Sequence, residues 1–88
     1  MRRSRREQLW DRLAAGDLRN VGFVEFRRLI ESFGFRLRRV SGSHYIYSHP
    51  QVLRPLSLQP RNREAKPYQI SQFLGMVREF GLTIEHRE

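Results

Sequence analysis

The sequence predicts an α+β fold, in which a three-stranded antiparallel sheet carries two helices on one face and an extra helix precedes them. Apolar residues recur at helical spacing in the first third of the chain and again near its end, whereas the middle alternates with a period of two. Packing both helical stripes against one face of the sheet is the simplest way to bury them. The 88 residues suffice for one core, so we expect a single domain over 1–88.

Two helices are predicted before the first strand. The first covers 8–16 and is an addition to a core that we place at 23–82. The segment before it, 1–6, is strongly basic, and we expect a disordered arm there. The second helix runs from Phe23 to Phe33, with apolar residues at i, i+3, i+4 and i+7, and the glycine that follows supplies a left-handed end.

Three strands and a last helix complete the predicted order. The strands are Phe35 to Val40, His44 to His49, and Leu53 to Gln59, and a proline in the third strand is typical of a sheet edge. Pro67 opens the final helix in its first turn. The resulting order over 23–82, α-β-β-β-α, is also that of double-stranded-RNA-binding folds, an analogy that says little about function.

The charge of the chain predicts an anionic partner. The formal net charge is +8, and of the 17 cationic side chains all but Lys66 are arginine, whose guanidinium binds phosphate in a bidentate manner. Nucleic acid, an acidic protein and an anionic membrane surface all fit this charge. No apolar stretch is long enough to span a membrane or to follow the basic N-terminus as a secretory signal, so we expect a cytoplasmic protein. The absence of cysteine excludes disulfides and cysteine-based zinc sites.

The stretch from Gly42 to Tyr47 contains the residue best suited to chemistry, His44. An imidazole, whose reference pKa is about 6.5, can take or give a proton near neutral pH. RNA cleavage needs a base for the 2′-hydroxyl, an acid for the leaving 5′-oxygen, and cations for the developing charge. The alternative is a strand histidine that only hydrogen-bonds the turn, and the pattern leaves both readings open.

The faces of the second strand are ambiguous in the sequence. Tyr45 and Tyr47 share one face, where they could stack on unpaired bases or pack within the sheet. His44 shares the other face with Ile46, which looks like a core residue. Either His44 lies beyond the regular strand, or the tyrosines face the helices. His49 has the opposite parity to His44, which disfavours a paired two-histidine site.

A phosphate-binding track is predicted from cations on the first strand and from the start of the last helix, where free backbone N–H groups favour anions. Ordinary solvated charge is the alternative for any single residue. The histidines are scattered and lack acidic partners at ligand spacing, so we expect no metal and no cofactor. The predicted RNA-binding residues are Arg36, Arg38, Arg39, Gly42, Ser43, Tyr45, Tyr47, Lys66, Tyr68 and Gln69.

Several short blocks of the chain, in this order and at this spacing, resemble the HicA toxin family, in the subgroup that has an additional N-terminal helix. The blocks are Asn20-Val21, Glu31-Ser32-Phe33-Gly34-Phe35, Gly42-Ser43-His44, His49-Pro50, Leu58-Gln59-Pro60 and Ala65-Lys66-Pro67-Tyr68-Gln69-Ile70. The resemblance implies a double-stranded-RNA-binding-like fold, messenger-RNA cleavage without ribosome or metal, a HicB-type antitoxin as partner, and a catalytic role for His44. Tyr45, where many members have a second histidine, and Gly75, inside the last helix, depart from the family pattern.

The sequence therefore predicts the toxin of a toxin–antitoxin system, an endoribonuclease that cleaves mRNA with His44. The main alternative is a non-catalytic nucleic-acid-binding module, or an inactive toxin that retains antitoxin binding. A subunit of a ribonucleoprotein is a more distant alternative. Cleavage that depends on His44 separates the first hypothesis from the others, which predict salt-dependent binding that is insensitive to its replacement.

Overall fold

The computed structural model describes residues 4–85, which form three helices and one antiparallel sheet of strand order β1-β2-β3. The order α-α-β-β-β-α confirms the predicted α+β, double-stranded-RNA-binding-like fold with its extra helix. Among the described residues, no helix has the length and apolarity needed to cross a membrane. The elements are α1 (Arg5–Ala14), α2 (Phe23–Ser32), β1 (Arg36–Ser41), β2 (His44–His49), β3 (Val52–Leu58) and α3 (Pro67–Phe80).

Helix α1 begins earlier than the sequence predicted. Ser4 caps it: its hydroxyl accepts from the Glu7 backbone N–H at 3.1 Å, and the Glu7 carboxylate accepts from the Ser4 N–H at 3.0 Å. This capping box satisfies free N–H groups at the helix start and extends the helix to Arg5. The predicted disordered arm is therefore wrong for residues 4–6, and its first three residues lie outside the described part of the chain.

The other two helices follow the predicted bounds closely. Helix α2 begins at Phe23 as predicted and ends at Ser32, with Phe33 as its C-cap. Helix α3 begins at Pro67 and ends before Gly81, which adopts the left-handed conformation with φ 63°. These ends are set by local chemistry, proline in the first turn and glycine after the last, which is why the sequence predicts them well.

The helices cover one face of the sheet. Tyr47 pairs with Leu56 across β2 and β3, and all three of Tyr47, Leu56 and the neighbouring Leu58 are at most 1% exposed. Phe26 of α2 and Phe73 of α3 are fully buried above them, with ring centroids 5.6 Å apart. The opposite face carries no helix of the described chain, and Leu53 there is fully exposed. Strand β3 lies at an edge of the sheet, as its proline predicted.

Candidate nucleic-acid interface

The strand register places His44 on the open face of the sheet. Tyr45 packs edge-on against Phe23 of α2 at 5.0 Å between ring centroids. The face of β2 that carries Tyr45 and Tyr47 is therefore the one that meets the helices. Side chains alternate along a strand, and His44 and Ile46 therefore face the other way. This decides the alternative that the sequence left open. Ile46 is only half-buried, so the expectation that it belongs to the core was wrong.

His44 is held at the end of a tight β-hairpin. It is the first residue of β2 and pairs with Ser41, the last residue of β1, so that Gly42 and Ser43 form the turn. Gly42 has φ 59°, a left-handed conformation that glycine adopts without the strain of a side chain. The imidazole is exposed and, within the described chain, has no hydrogen-bond partner. The side chain is therefore free to meet a ligand from solvent.

Hydrogen bonds connect this turn to the start of α3. The Gln59 carboxamide donates from Nε2 to Ser43 Oγ at 3.0 Å, and its Oε1 accepts from Lys66 Nζ at 3.2 Å. The backbone N–H of Gln59 donates to Gln69 Oε1 at 3.0 Å. We call these four residues, with Tyr68, the Gln59 network. It joins the Gly-Ser-His and Lys-Pro-Tyr-Gln blocks, which are distant in the sequence, into one surface.

Gln59 is the residue of this surface that the predicted RNA-binding set did not include. It directly follows β3 and precedes Pro60, and a residue before proline is held extended, which continues the direction of the strand. The sequence could have indicated Gln59 by this position, because it lies at the end of the strand that pairs with the strand of His44. The hydrogen bonds themselves depend on the tertiary structure, since Ser43 and Gln59 are 16 positions apart.

The start of α3 presents both buried and exposed polar groups. Lys66 is the N-cap, and its backbone oxygen accepts from the Gln69 and Ile70 N–H groups. The Gln69 side chain is 5% exposed and its Nε2 lies 3.3 Å from the Tyr68 hydroxyl. Tyr68 itself is 59% exposed. Gln69 is thus an internal support, while Lys66 and Tyr68 can reach a ligand.

The arginines of β1 are all exposed. Arg36 pairs with Ser48 and Arg39 with Ile46, so the side chains of both belong to the open face that carries His44. The register shifts between Leu37 and Arg39, which leaves Arg38 at an irregularity of the strand. Two of the three predicted arginines therefore share a face with His44.

The two tyrosines of β2 occupy the helical side, which changes their expected role. Tyr47 is fully buried, so it cannot stack on a base, and its assignment to the RNA-binding set was wrong. Its hydroxyl accepts from Arg27 Nε at 2.8 Å and donates to the Glu31 carboxylate at 2.6 Å. Burial and the Glu31 hydrogen bond raise the pKa of Tyr47 to about 12. Tyr45 is half-buried beneath the Arg27 guanidinium, 4.5 Å from its ring centroid.

The remaining histidines do not join His44. His49 Nδ1 accepts from the Gln51 backbone N–H at 3.0 Å, which makes Nε2 the donor to the Phe33 carbonyl at 2.9 Å. Its ring packs on Phe35 at 5.0 Å, on the opposite side of the strand from His44, as parity predicted. His86 lies outside the described residues. Within residues 4–85, no three acidic, histidine or cysteine side chains cluster as a metal site would require.

A family model described as the HicA toxin of bacterial toxin–antitoxin systems matches residues 18–82. The chain belongs to the HicA toxin family. This match confirms the family resemblance that the short sequence blocks indicated. No curated protein and no solved structure is similar enough to the chain to count as a match.

The HicA match contains the whole candidate interface. His44, the β1 arginines and the Gln59 network all lie inside 18–82, from the loop before α2 to the end of α3. Helix α1 lies outside the match, although its Trp10 ring packs 4.9 Å from Phe33 and 6.3 Å from Phe73. The HicA fold of this chain is therefore extended by a helix that shares its core.

Proposed function

We propose that this HicA-family protein is an endoribonuclease toxin that cleaves mRNA in the cytoplasm, uses His44 as its catalytic residue, and requires no metal. One observation carries the proposal. An exposed histidine at the end of a β-hairpin directly follows Ser43, whose hydroxyl the Gln59 network connects to Lys66 and, through Gln69, to Tyr68. Proton transfer and anion binding are thereby available at neighbouring positions of one surface.

The chemistry that fits is attack of the ribose 2′-oxygen on the adjacent phosphorus. The P–O2′ bond forms and the P–O5′ bond breaks, while a base receives the 2′-hydroxyl proton and an acid supplies a proton to the departing 5′-oxygen. His44 would serve as one of these groups. The products would be a 2′,3′-cyclic phosphate and a 5′-hydroxyl end.

Cations around His44 would hold the RNA and offset the charge that develops on the phosphate oxygens. Lys66 and Tyr68, at the start of α3, would supply a cation and a hydroxyl group, and Arg36 and Arg39 share the open face with His44. Arg38 and the Gly42-Ser43 turn stay in the proposed RNA-binding set. Tyr45 could contribute only the edge that its position beneath Arg27 leaves exposed.

The proposed protein partner is a HicB-type antitoxin. A protein that displaces RNA from a chain of net charge +8 should present acidic residues where it covers His44. Complex formation should therefore weaken as the salt concentration rises.

Cleavage of a single-stranded RNA in EDTA, with analysis of the product ends, tests the enzymatic proposal. The wild type should cleave it to 2′,3′-cyclic phosphate ends, and His44→Ala should reduce the rate by about two to four orders of magnitude because general acid–base catalysis is lost. His86→Ala is the matched control, a histidine replacement elsewhere in the chain, and it should cleave as the wild type does.

Each result of this experiment decides between the hypotheses. If both the wild type and His44→Ala bind RNA equally and neither cleaves it, the chain is a binding module or an inactive toxin. If both cleave it at the same rate, His44 is not the catalytic residue. Cleavage that EDTA abolishes would contradict metal independence.

A further inference from the structure

In the Gln59 network, Lys66 determines which group donates and which accepts in each hydrogen bond of the Gln59 side chain. The ammonium of Lys66 has only donor protons, so the Gln59 atom 3.2 Å from it must be the carboxamide oxygen. The other end of the carboxamide is then the NH₂ group, which donates to Ser43 Oγ at 3.0 Å. Ser43 Oγ is the acceptor in this bond. Its own proton is consequently available to donate to another group.

Donor and acceptor roles are fixed in the same way in the second branch of the network, which runs from the Gln59 backbone through Gln69 to Tyr68. The backbone N–H of Gln59 can only donate, and it faces Gln69 Oε1 at 3.0 Å. The Gln69 NH₂ group therefore faces the Tyr68 hydroxyl at 3.3 Å and makes it an acceptor. Because Gln69 is 5% exposed, reversal of its carboxamide would leave the Gln59 N–H without this acceptor. The Tyr68 proton, like that of Ser43, is left free to donate outward.

On the basis of the proposed function, we infer that Gln59 is a positioning residue that turns Ser43 and Tyr68 into hydrogen-bond donors and holds Lys66 beside them, so that these donors bind an RNA phosphate next to His44. Phosphate oxygens are acceptors only, and a surface of donors suits them. Gln59 itself need not touch the RNA. Because its carboxamide oxygen accepts from Lys66, its NH₂ group donates to the Ser43 hydroxyl, whose own proton is then left to donate to the phosphate.

Two replacements of Gln59 separate this role from simple packing. Gln59→Leu removes both side-chain hydrogen bonds, while its backbone N–H can still bond Gln69. Gln59→Glu keeps the shape of glutamine but presents acceptors to both Lys66 and Ser43, so the Ser43 proton would turn inward. The glutamate variant also keeps the inference testable if the leucine variant does not fold. Gln72→Leu and Gln72→Glu, at an exposed position of α3, are the matched controls.

The test is binding of a mixed-sequence single-stranded oligoribonucleotide, followed by fluorescence anisotropy, with His44→Ala as the parent to prevent cleavage. Loss of hydrogen bonds to a phosphate-binding surface should raise Kd about tenfold for Gln59→Leu, and the reversed polarity of Gln59→Glu should raise it further. Neither Gln72 variant should reproduce these losses, although the added charge of Gln72→Glu can weaken binding slightly. Thermal unfolding would show that each variant is folded.

A double-mutant cycle gives the deciding measurement. In a Ser43→Ala, Lys66→Met background, Gln59→Leu should have almost no further effect on Kd, because the groups through which it acts are gone. The inference is overturned if the loss persists there, if Gln72→Leu causes the same loss, or if the parent does not bind the RNA. Since no step requires cleavage, these results are independent of whether the wild type proves to be a ribonuclease.

Discussion

The two histidines at the ends of β2 have different surroundings, and these determine whether the imidazole is held by the fold or is open to a ligand. His49 uses both ring nitrogens in hydrogen bonds to the backbone and packs edge-on against Phe35, so its imidazole is fixed within the fold. His44, at the other end, is exposed and has no hydrogen-bond partner among residues 4–85. Of these two histidines, His44 is the one whose imidazole a ligand can reach from solvent.

Tyr47 gives a prediction for alkaline pH. Its pKa is raised from 10.0 to about 12 in the folded protein, so the folded state holds the phenolic proton more tightly than the unfolded state does. This stabilisation is fully present below pH 10 and is lost as the pH rises toward 12. The loss should be about 2 kcal/mol by pH 12, at about 1.4 kcal/mol per pKa unit, because the folded phenol is half ionised at its own pKa. Urea denaturation of the wild type and Tyr47→Phe between pH 8 and about pH 12 would measure it.

The difference in unfolding free energy between wild type and Tyr47→Phe should shrink across this range, because phenylalanine has no proton to lose. Tyr68→Phe, which removes the hydroxyl of a tyrosine that is 59% exposed, is the control for the substitution itself. A wild-type profile parallel to that of Tyr47→Phe would contradict the proposed linkage.

At the scale of elements, α1 is joined to the family core by apolar packing and by its own cap. Leu13 is 1% exposed, and Trp10 contacts Phe33, the C-cap of α2, and Phe73 of α3. The helix thus contributes to the stability of the same core that supports the sheet, although it lies outside the family match.

The capping box of α1 should be measurable in the stability of the whole chain. Ser4→Ala removes the hydroxyl that accepts from the Glu7 N–H, and it should lower the free energy of unfolding by about 1 kcal/mol. Ser71→Ala, at an exposed position inside α3, is the control and should be neutral or slightly stabilising, because alanine favours the helix interior. Equal effects of the two replacements in chemical denaturation would show that the cap contributes nothing.

For the whole molecule, the net charge of +8 predicts RNA binding that weakens with salt, and the open face predicts which arginines dominate. Arg39→Gln should reduce the slope of log K against log salt by about 0.7, the value for one phosphate contact on a single strand. Binding would be measured by titration over a series of salt concentrations, again with His44→Ala to prevent cleavage.

Arg54→Gln is the matched control for this experiment. Arg54 is already paired with Glu79 at 2.8 Å and lies against Phe80 of α3, on the helical side of β3. Its replacement should change the slope little. If Arg39→Gln and Arg54→Gln change the salt slope equally, RNA binding depends on the total charge of the protein, and the open face is not the binding surface.

Local sequence by itself determined the order of the elements and most of their ends. Gly34, Pro67 and Gly81 act within a few residues of their own positions, through backbone conformation, and so their effects could be predicted from the sequence. The capping box at Ser4 is equally local, but it lay within a basic run whose charge favoured a disordered arm. The family, too, followed from short blocks at fixed spacing.

Only the tertiary structure decided which face of β2 meets the helices. The alternation of side chains along the strand is compatible with either face meeting the helices. Packing of Tyr45 and Tyr47 on α2 decides between them, so His44 is exposed and Tyr47 no longer belongs to the proposed RNA surface. The Gln59 network was likewise beyond the sequence pattern, because a hydrogen bond between Ser43 and Gln59 requires two strands in register and a helix docked beside them. Local propensities fix the elements, whereas the site depends on contacts between residues that the fold alone brings together.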